Sequence, residues 1–321
     1  MDERSFCNLP AIARKTSLAA FIALAVLAGM SGFVKEAFAA MPAPLPTAGK
    51  AVLVGHFSVV PLFDGQHSYA LKRFYGADEA AMLKVAGMQP VPAAYTVFLI
   101  KRGKKRFLVD TGNGTLTTAR TGQLPICLKD AKTAPADISK IFVTHLHGDH
   151  AGGLVKDGKP AFPMAKVYVA KAEYDYWTND ESMRQAPEHR RGLFPLIQNT
   201  LRVLDQNKLI VLFTPGDVVA PDIASVDLSG HTPGHTGFML ASKDKQLLFA
   251  GDLLHGAALQ MPRPDITIDA DVDQPKAKEM RQRMFKQLAE AKIPIAGAHL
   301  PFPGIGFVHP VGEGYKLQEW K

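Results

Sequence analysis

Cysteine is almost absent from this chain: two occur in 321 residues, Cys7 and Cys127. We expect the segment that holds Cys7 to be removed, as argued below. The remaining chain then keeps Cys127 alone and can form no internal disulfide. We interpret Cys127 as a small buried hydrophobic residue. A scaffold held together by disulfides is therefore excluded.

Long apolar runs and long basic runs are also missing. The most apolar stretch, Leu18–Met30, is shorter than the roughly 20 residues that a membrane-spanning helix needs. No run of Lys and Arg exceeds Lys104–Arg106, which argues against a nucleic-acid interface. Hydrophobic residues make up 47% and charged residues 21% of the chain. This composition excludes a disordered or collagen-like protein.

The first 39 residues have the layout of a secretory signal peptide. Arg14 and Lys15 precede the apolar stretch, and the A-F-A sequence at 37–39 is a small-x-small cleavage signal. An uncleaved membrane anchor is the alternative, which the short apolar stretch disfavours. Removing four basic and three acidic residues from the net charge of +7 leaves +6. We therefore expect a secreted, periplasmic protein with no nucleic-acid partner and no stable membrane anchor after cleavage.

The rest of the chain is predicted to form one layered α/β domain over residues 51–321, after a Pro- and Ala-rich exposed lead-in at 40–50. The spacing of apolar residues predicts helices at 171–177 and 275–292, the second with a charged opposite face. Groups of strands with helices between them favour this class. Apolar runs predict strands at 51–60, 95–100, 106–109, 138–144, 165–170, 209–213, 223–228, 237–241, 246–250 and 293–296.

The chemistry is concentrated in His and Asp residues at predicted strand ends. His145, His147, Asp149 and His150 fall within six residues, directly after the strand predicted at 138–144. His145 and His147 alternate, so on an extended segment they point the same way. Four groups able to bind metal in one turn are rarely incidental. They indicate a metal site.

Further metal-binding candidates follow in a Gly/Pro turn and after two later strands. They are His231 and His235 in G-H-T-P-G-H, then Asp252, then His299. A single metal needs only about three or four protein ligands. The candidates are therefore enough for two adjacent divalent ions if one carboxylate bridges them. Imidazole with carboxylate favours zinc, with manganese, cobalt or iron as alternatives.

This pattern resembles the metallo-β-lactamase fold superfamily over nearly the whole mature chain. The resemblance implies an αβ/βα four-layer sandwich, with two mixed sheets flanked by helices and the metals at one edge. It also implies that Asp110, in V-D-T-G, and His235 orient ligands without binding metal. It assigns His145, His147 and His231 to the first metal, Asp149, His150 and His299 to the second, and Asp252 to both.

The C-terminal half is similar to the methyl parathion hydrolase family. G-D-L-L-H at 251–255, H-L-P-F-P-G-I-G at 299–306 and G-Y at 314–315 carry this resemblance. The family contains secreted dizinc homodimers related to quorum-quenching lactonases, which implies a homodimer here. Trp177 and Phe194 match two aromatic walls of the family's substrate pocket. Plain core packing is the alternative reading of both side chains.

Two departures from that family bear on the substrate. Thr117 stands nearest to a pocket position that is Phe in the phosphotriesterase. His255 stands where related lactonases have a Tyr whose hydroxyl meets the substrate carbonyl, and an imidazole there can also hydrogen-bond an oxyanion. We therefore expect a hydrolase of lactones and aryl esters, with phosphotriester hydrolysis as a side activity.

The resemblance implies a metal-bridging hydroxide as nucleophile, with Asp252 holding both metals. Asp149 would move a proton to the leaving group, and His255 would support the oxyanion. A dedicated organophosphate hydrolase is the main alternative. The complete ligand set disfavours a non-catalytic metal-binding protein. Asp252 disfavours a β-lactamase, because dizinc β-lactamases often have Cys there.

Overall fold

Two large β-sheets organise the part of the chain that the computed structural model describes, residues 46–115 and 121–320. Strands are numbered in chain order. The first sheet contains, in spatial order, β1 (Val52–Val54), β2 (Phe57–Tyr69), β4 (Val91–Arg102), β5 (Lys105–Val109), β6 (Ile138–Phe142), β9 (Lys166–Ala170) and β10 (Ile210–Phe213). The second contains β11 (Val218–Ala220), β12 (Ile223–Asp227), β13 (Thr236–Ser242), β14 (Lys245–Gly251), β16 (Ile295–Gly297), β17 (Ile305–Val311) and β18 (Gly314–Glu319). Two short pairs are β3 (Phe74–Tyr75) with β15 (Thr267–Ile268), and β7 (Val155–Lys156) with β8 (Lys159–Pro160).

Helices connect and cover these sheets. The α-helices in the described residues are α1 (Glu79–Ala86), α2 (Leu124–Asp130), α3 (Gly148–Ala151), α4 (Lys171–Thr178), α5 (Asp180–Gln185), α6 (Glu188–Arg191), α7 (Leu193–Gln206), α8 (Ala257–Gln260) and α9 (Gln274–Ala291). Short 3₁₀ segments lie at Leu71–Arg73, Pro135–Asp137 and Gly152–Leu154. Within the same residues, no helix has the length and apolar character to cross a membrane.

Both sheets are mixed, as predicted. In the first sheet β1, β2, β4 and β5 pair antiparallel, whereas β5, β6, β9 and β10 pair parallel. In the second sheet only the pairing of β14 with β16 is parallel, among the strands that the structure describes. Turns that carry predicted metal ligands follow β6, β14 and β16. Those strands lie in the interior of their sheets, where pairing on both sides fixes their ends.

Alternating side chains bury both faces of each sheet, which produces four layers. Between the sheets, the ring of Phe142 lies 5.3 Å from that of Phe238, and the rings of Phe98 and Phe249 are 5.5 Å apart. On the outer face of the first sheet, Ile141 belongs to the core that α7 covers. The helix α9 covers the outer face of the second sheet. The predicted four-layer sandwich is thus confirmed.

The helix predicted at 275–292 forms within one residue of that range, as α9. Asp273 caps its start, because the side-chain oxygen accepts from the backbone N–H of Lys276 at 3.0 Å. Its apolar stripe, including Met280 and Met284, is buried. The charged opposite face was predicted too broadly, since Arg281 is 1% exposed and donates to the carbonyl of Leu253.

The single strand predicted at 51–60 is instead two strands, β1 and the start of β2, joined by a tight turn. The chain reverses at Gly55 and His56, so that Val54 pairs with Phe57. Gly55 has φ +56°, and a Cβ there would lie 2.3 Å from the carbonyl oxygen of Ser242. A single apolar run therefore concealed a hairpin.

Part of the predicted lead-in is anchored to the first sheet. The backbone N–H of Gly49 donates to Pro61 at 2.9 Å, and Thr47 accepts from Phe63 at 3.1 Å. These bonds explain why residues 46–50 do not extend freely from the domain. The signal segment predicted at 1–39 lies outside the described residues.

Cys127 is fully buried in α2, as the sequence predicts. Its thiol donates to the carbonyl oxygen of Phe63 at 3.2 Å, and burial raises its pKa to about 12. Such a thiol remains protonated and unreactive at neutral pH.

Candidate metal centre

A first group of ligand atoms converges after β6. His147 has an extended conformation two residues beyond His145, and Nδ1 of His147 lies 2.9 Å from Nε2 of His145. It also lies 3.0 Å from Nε2 of His231, from the turn before β13. Asp252, after β14, completes a group whose ligand atoms lie within 4.8 Å of one another. A neutral ring nitrogen facing two others so closely is the arrangement that a cation between them would stabilise.

A second group of ligand atoms adjoins the first. The short helix α3 turns Asp149 and His150 toward His299, which follows β16. Nε2 of His299 lies 3.3 Å from Oδ2 of Asp149 and 3.2 Å from Oδ1 of Asp252. The other oxygen of Asp252, Oδ2, lies 3.3 Å from Nε2 of His231 in the first group and 3.2 Å from Nε2 of His299 in the second. The carboxylate of Asp252 therefore has the position of a bridge between the two groups.

Two buried atoms of this cluster lack hydrogen bonds within the described part of the chain. They are Nε2 of His150 and Oδ1 of Asp252, which lie 3.0 Å apart without the geometry of a hydrogen bond. Buried polar atoms are normally paired, because leaving one unpaired costs about 1–3 kcal/mol. The donor set, the distances and these unpaired atoms fit two divalent metal ions.

The outer nitrogens of the ligand rings are held from behind. Nδ1 of His150 lies 2.8 Å from Oδ2 of Asp110, which also accepts from the Thr144 hydroxyl at 2.9 Å. Nδ1 of His299 donates to the carbonyl oxygen of Ala94 at 3.1 Å. Such bonds fix the tautomer and leave Nε2 free to bind metal. Asp110 therefore lies behind His150 and holds its Nδ1.

His235 has no nitrogen left for a metal. Its Nε2 accepts from the backbone N–H of Asp252 at 3.0 Å, and its Nδ1 donates to the carbonyl of Leu228 at 2.9 Å. The ring also approaches Gly251, whose added Cβ would lie 2.6 Å from Nε2. His235 thus positions the turn that carries Asp252.

An open cavity of about 380 Å³ reaches this cluster. Its wall includes Asp149, Asp252 and His255, together with Tyr69 and Tyr95. Its volume lies within the roughly 300–1,000 Å³ of small-molecule sites. His255 is 3% exposed, and its Nε2 lies 3.0 Å from Oδ2 of Asp252. A substrate in this cavity would contact the three residues to which the sequence assigned catalytic roles.

The predicted aromatic wall belongs to a second cavity, which also measures about 380 Å³. Trp177 and Phe194 line it, and His147 and Arg190 line both cavities. Both aromatic side chains are also core residues, since Trp177 is 2% and Phe194 0% exposed. These two side chains therefore both pack in the core and line the cavity. Thr117, the third predicted wall residue, lies outside the described residues.

The family model of the metallo-beta-lactamase superfamily matches residues 91–299 of this chain. The chain belongs to the metallo-β-lactamase superfamily. A solved structure described as hydrolase AbOPH in the beta lactamase superfamily superposes with a TM-score of 0.81 at 26% identity, covering 87% of this chain and 100% of that one. AidC, a dizinc quorum-quenching lactonase solved with the product N-hexanoyl-L-homoserine, superposes with a TM-score of 0.77 at 28% identity, covering 86% and 98%.

Two curated relatives of this chain show how widely the superfamily ranges. One is a beta-lactamase-like protein 2 homolog from Caenorhabditis elegans, 27% identical over 55% of this chain and 50% of its own length. The other is an atrochrysone carboxyl ACP thioesterase from Claviceps purpurea, 24% identical over 54% of this chain and 46% of its own length. The chain thus spans about half the length of the curated relatives that it matches.

Two residues that the sequence analysis missed hold the candidate metal centre in place. Oδ1 of Asp271 lies 2.9 Å from Nδ1 of His231. Glu173 is 1% exposed, and its carboxylate accepts four hydrogen bonds. No motif surrounds Asp271. Glu173 falls in the helix predicted at 171–177, where an acidic residue resembles ordinary surface.

Replacing Asp271 with Ala should weaken metal binding by about 10- to 100-fold, because loss of such a supporting carboxylate typically has this effect. His231 would lose the partner that fixes its tautomer, while all seven candidate ligands remain. Competition against a chromogenic chelator would measure the change in Kd. Asp265→Ala is the matched control, since Asp265 pairs with Arg263 in a partly exposed ion pair. Equal affinity in the Asp271 variant and the control would contradict this role.

The charges of the metal-free cluster predict that metal binding releases protons. Burial lowers the pKa of His145 and His147 well below the usual range, so both are neutral at pH 7. Burial also opposes charge on His299, but the carboxylates of Asp252 and Asp149 outweigh it and raise its pKa to about 10. The same balance raises the pKa of His150. Each of these two rings must lose a proton to bind metal.

Metal affinity should therefore rise with pH below about 10. The increase should approach about tenfold per pH unit for each proton released. Calorimetric titration of the metal-free protein, in buffers of different ionisation enthalpy, would count those protons directly. An affinity that is constant between pH 6 and pH 9, with no proton release, would contradict the assignment of His150 and His299 as protonated groups that bind metal.

Proposed function

We propose that this protein is a secreted binuclear metallohydrolase that acts on lactones and aryl esters. The observation that carries the proposal is the convergence of two ligand groups on Asp252 at the floor of an open cavity. We also propose zinc as the metal, a periplasmic location after removal of residues 1–39, residues 51–321 as one catalytic domain, and a homodimer. Similarity to a dizinc lactonase supports the metal and the lactone substrate.

The residues of the cavity can perform distinct parts of such a reaction. Two divalent ions, when bound, supply a nucleophile at neutral pH and polarise the carbonyl oxygen of the substrate. Asp149 is part-exposed on the cavity wall, so its carboxylate can carry a proton toward the leaving group. It remains ionised at neutral pH, because His150 and His299 hold its pKa well below the usual range against the effect of burial.

His255 is the group that we propose to support the carbonyl oxygen. Burial lowers its pKa to about 4 despite the carboxylate of Asp252, so its ring is neutral near pH 7. Its Nε2–H faces Oδ2 of Asp252 at 3.0 Å in the cavity wall. From the cavity wall, that N–H can donate to the carbonyl oxygen of a substrate.

Relative kcat/KM values test this proposal. The purified protein, loaded with two equivalents of zinc or manganese, would be assayed with dihydrocoumarin, N-hexanoyl homoserine lactone, phenyl acetate, paraoxon, methyl parathion and a β-lactam. We expect a lactone or ester to lead by about 100-fold, or about 2.7 kcal/mol of transition-state preference. Faster phosphotriester hydrolysis would instead indicate an organophosphate hydrolase. No turnover by protein with both metals bound would indicate a non-catalytic metal-binding protein.

A further inference from the structure

One buried polar atom on the cavity wall is not used by the candidate metal centre. Asn113 is 0% exposed and lines the same cavity as Asp149 and Asp252. Its Oδ1 accepts no hydrogen bond within the described part of the chain. An amide oxygen accepts up to two hydrogen bonds, so this atom is an acceptor without a donor.

The orientation of the Asn113 amide is fixed by Asp64. The Asp64 carboxylate accepts from Nδ2 of Asn113 at 3.2 Å and from the backbone N–H of Asn113 at 2.8 Å. It also accepts from the backbone N–H groups of Gly122 at 3.2 Å and Leu124 at 2.9 Å. Because a carboxylate only accepts, rotating the amide would bring two oxygens together. Oδ1 is therefore the atom that faces away from Asp64.

The loop that carries Asn113 is attached to the turn that carries the candidate ligands. Thr111 donates twice to the carbonyl oxygen of His150, from its backbone N–H at 2.7 Å and its hydroxyl at 2.9 Å. The backbone N–H of Gly153 donates to Gly112 at 3.2 Å. A Cβ on Gly112 would lie 2.4 Å from Cγ of Asp64, so the loop approaches that carboxylate as closely as glycine allows. The Asn113 amide is thus held in a fixed position in the wall of the cavity that Asp149 also lines.

We propose that Oδ1 of Asn113 accepts a hydrogen bond from the substrate. It therefore selects molecules that carry an N–H or O–H donor beside the scissile carbonyl. This inference rests on the proposed hydrolase function and names a specificity-determining residue for it. A site with a buried acceptor discriminates strongly against an analogue that lacks the donor, because the acceptor is then left unpaired.

The test compares substrates that differ only in the donor. One pair is N-hexanoyl homoserine lactone and its carba analogue, in which CH2 replaces the amide N–H. The other is α-hydroxy- and α-methoxy-γ-butyrolactone, which separates a hydroxyl donor from an amide donor. The zinc-loaded wild type should prefer the donor-bearing member of at least one pair by about 10- to 100-fold in kcat/KM. The ring-opened products should show the same order of Kd by calorimetry.

The variant Asn113→Leu removes the acceptor at similar volume and keeps the backbone N–H that donates to Asp64. It should reduce the preference to about threefold or less, mainly by slowing the donor-bearing substrate. Thr96→Val is the matched control. Its hydroxyl is also buried and unpaired among the described residues, but Thr96 does not line the cavity. This control should keep the wild-type preference.

Equal rates for both members of both pairs in the wild type would overturn the inference while leaving the hydrolase proposal intact. An Asn113→Leu variant that slows both members equally would also overturn it, because Asn113 would then only position the loop. If the wild type hydrolyses none of these lactones and none of the lactones and esters named under the proposed function, the proposed function fails. The Kd values of the ring-opened products would then decide the role of Asn113 separately.

Discussion

Replacing Asp252 with Ala should lower kcat/KM for the best lactone or ester by about 10³-fold or more, since losing even a supporting residue behind a ligand costs about 10- to 100-fold. The variant should also lose at least one of two metal equivalents. Asp252 is the residue common to both ligand groups, and its carboxylate contacts imidazoles of both. Without it, the imidazoles of both groups lose their shared anionic partner.

Metal content by mass spectrometry, together with kcat/KM, measures both effects. Asp244→Ala is the matched control, because Asp244 is exposed in the turn between β13 and β14. It should bind two metal ions and keep wild-type activity. Retention of two metals and full activity by the Asp252 variant would refute the binuclear assignment.

Replacing Glu173 with Ala should lower the free energy of unfolding by about 3 kcal/mol, although Glu173 is not a candidate ligand. Its Oε1 accepts from the backbone N–H of Leu146 at 2.9 Å and from Nε1 of Trp177 at 2.7 Å. Its Oε2 accepts from the hydroxyl of Thr232 at 2.6 Å and the backbone N–H of Gly234 at 3.0 Å. The variant leaves four donors without a partner, and each unpaired buried donor costs about 1–3 kcal/mol. Burial raises the pKa of Glu173, because a buried carboxylate is costly to ionise. The variant no longer buries that carboxylate, which offsets part of the loss.

Thermal and denaturant unfolding would measure the change, which corresponds to a Tm lower by roughly 6–12 °C. Glu181→Ala is the matched control, since Glu181 forms an exposed ion pair with Arg184. It should leave Tm unchanged. An equal Tm for the two variants would show that Glu173 does not join the turn after β6 to the turn before β13.

The interior of the fold could be predicted from sequence because buried strands have short, continuous runs of apolar residues. The runs at 138–144 and 246–250 correspond to β6 and β14. The C-terminal hairpin of β17 and β18 was missed, since exposed His, Lys and Glu side chains interrupt its apolar pattern. The helices α1 and α7 were missed as well. An edge hairpin is fixed by pairing with its neighbour rather than by a strong local signal.

The candidate ligands could be predicted because each stands at a strand end or in a dense local motif. Their supporting residues could not, because tertiary approach determines them. Glu173 is buried only because the turn before β13 passes so close that a Cβ on Gly234 would lie 2.2 Å from its backbone nitrogen. Asp271 meets His231 across 40 positions of sequence. Arg281 is likewise enclosed by carbonyl oxygens from other segments, including that of Ile266.

The order of the candidate ligands along the chain has a consequence for biogenesis. The first is His145 and the last is His299, and the second sheet contributes its ligands only after the first sheet is complete. A nascent chain that ends before His299 therefore lacks part of the second ligand group. Loading of both metal positions would report that synthesis has passed this point and that both sheets have assembled.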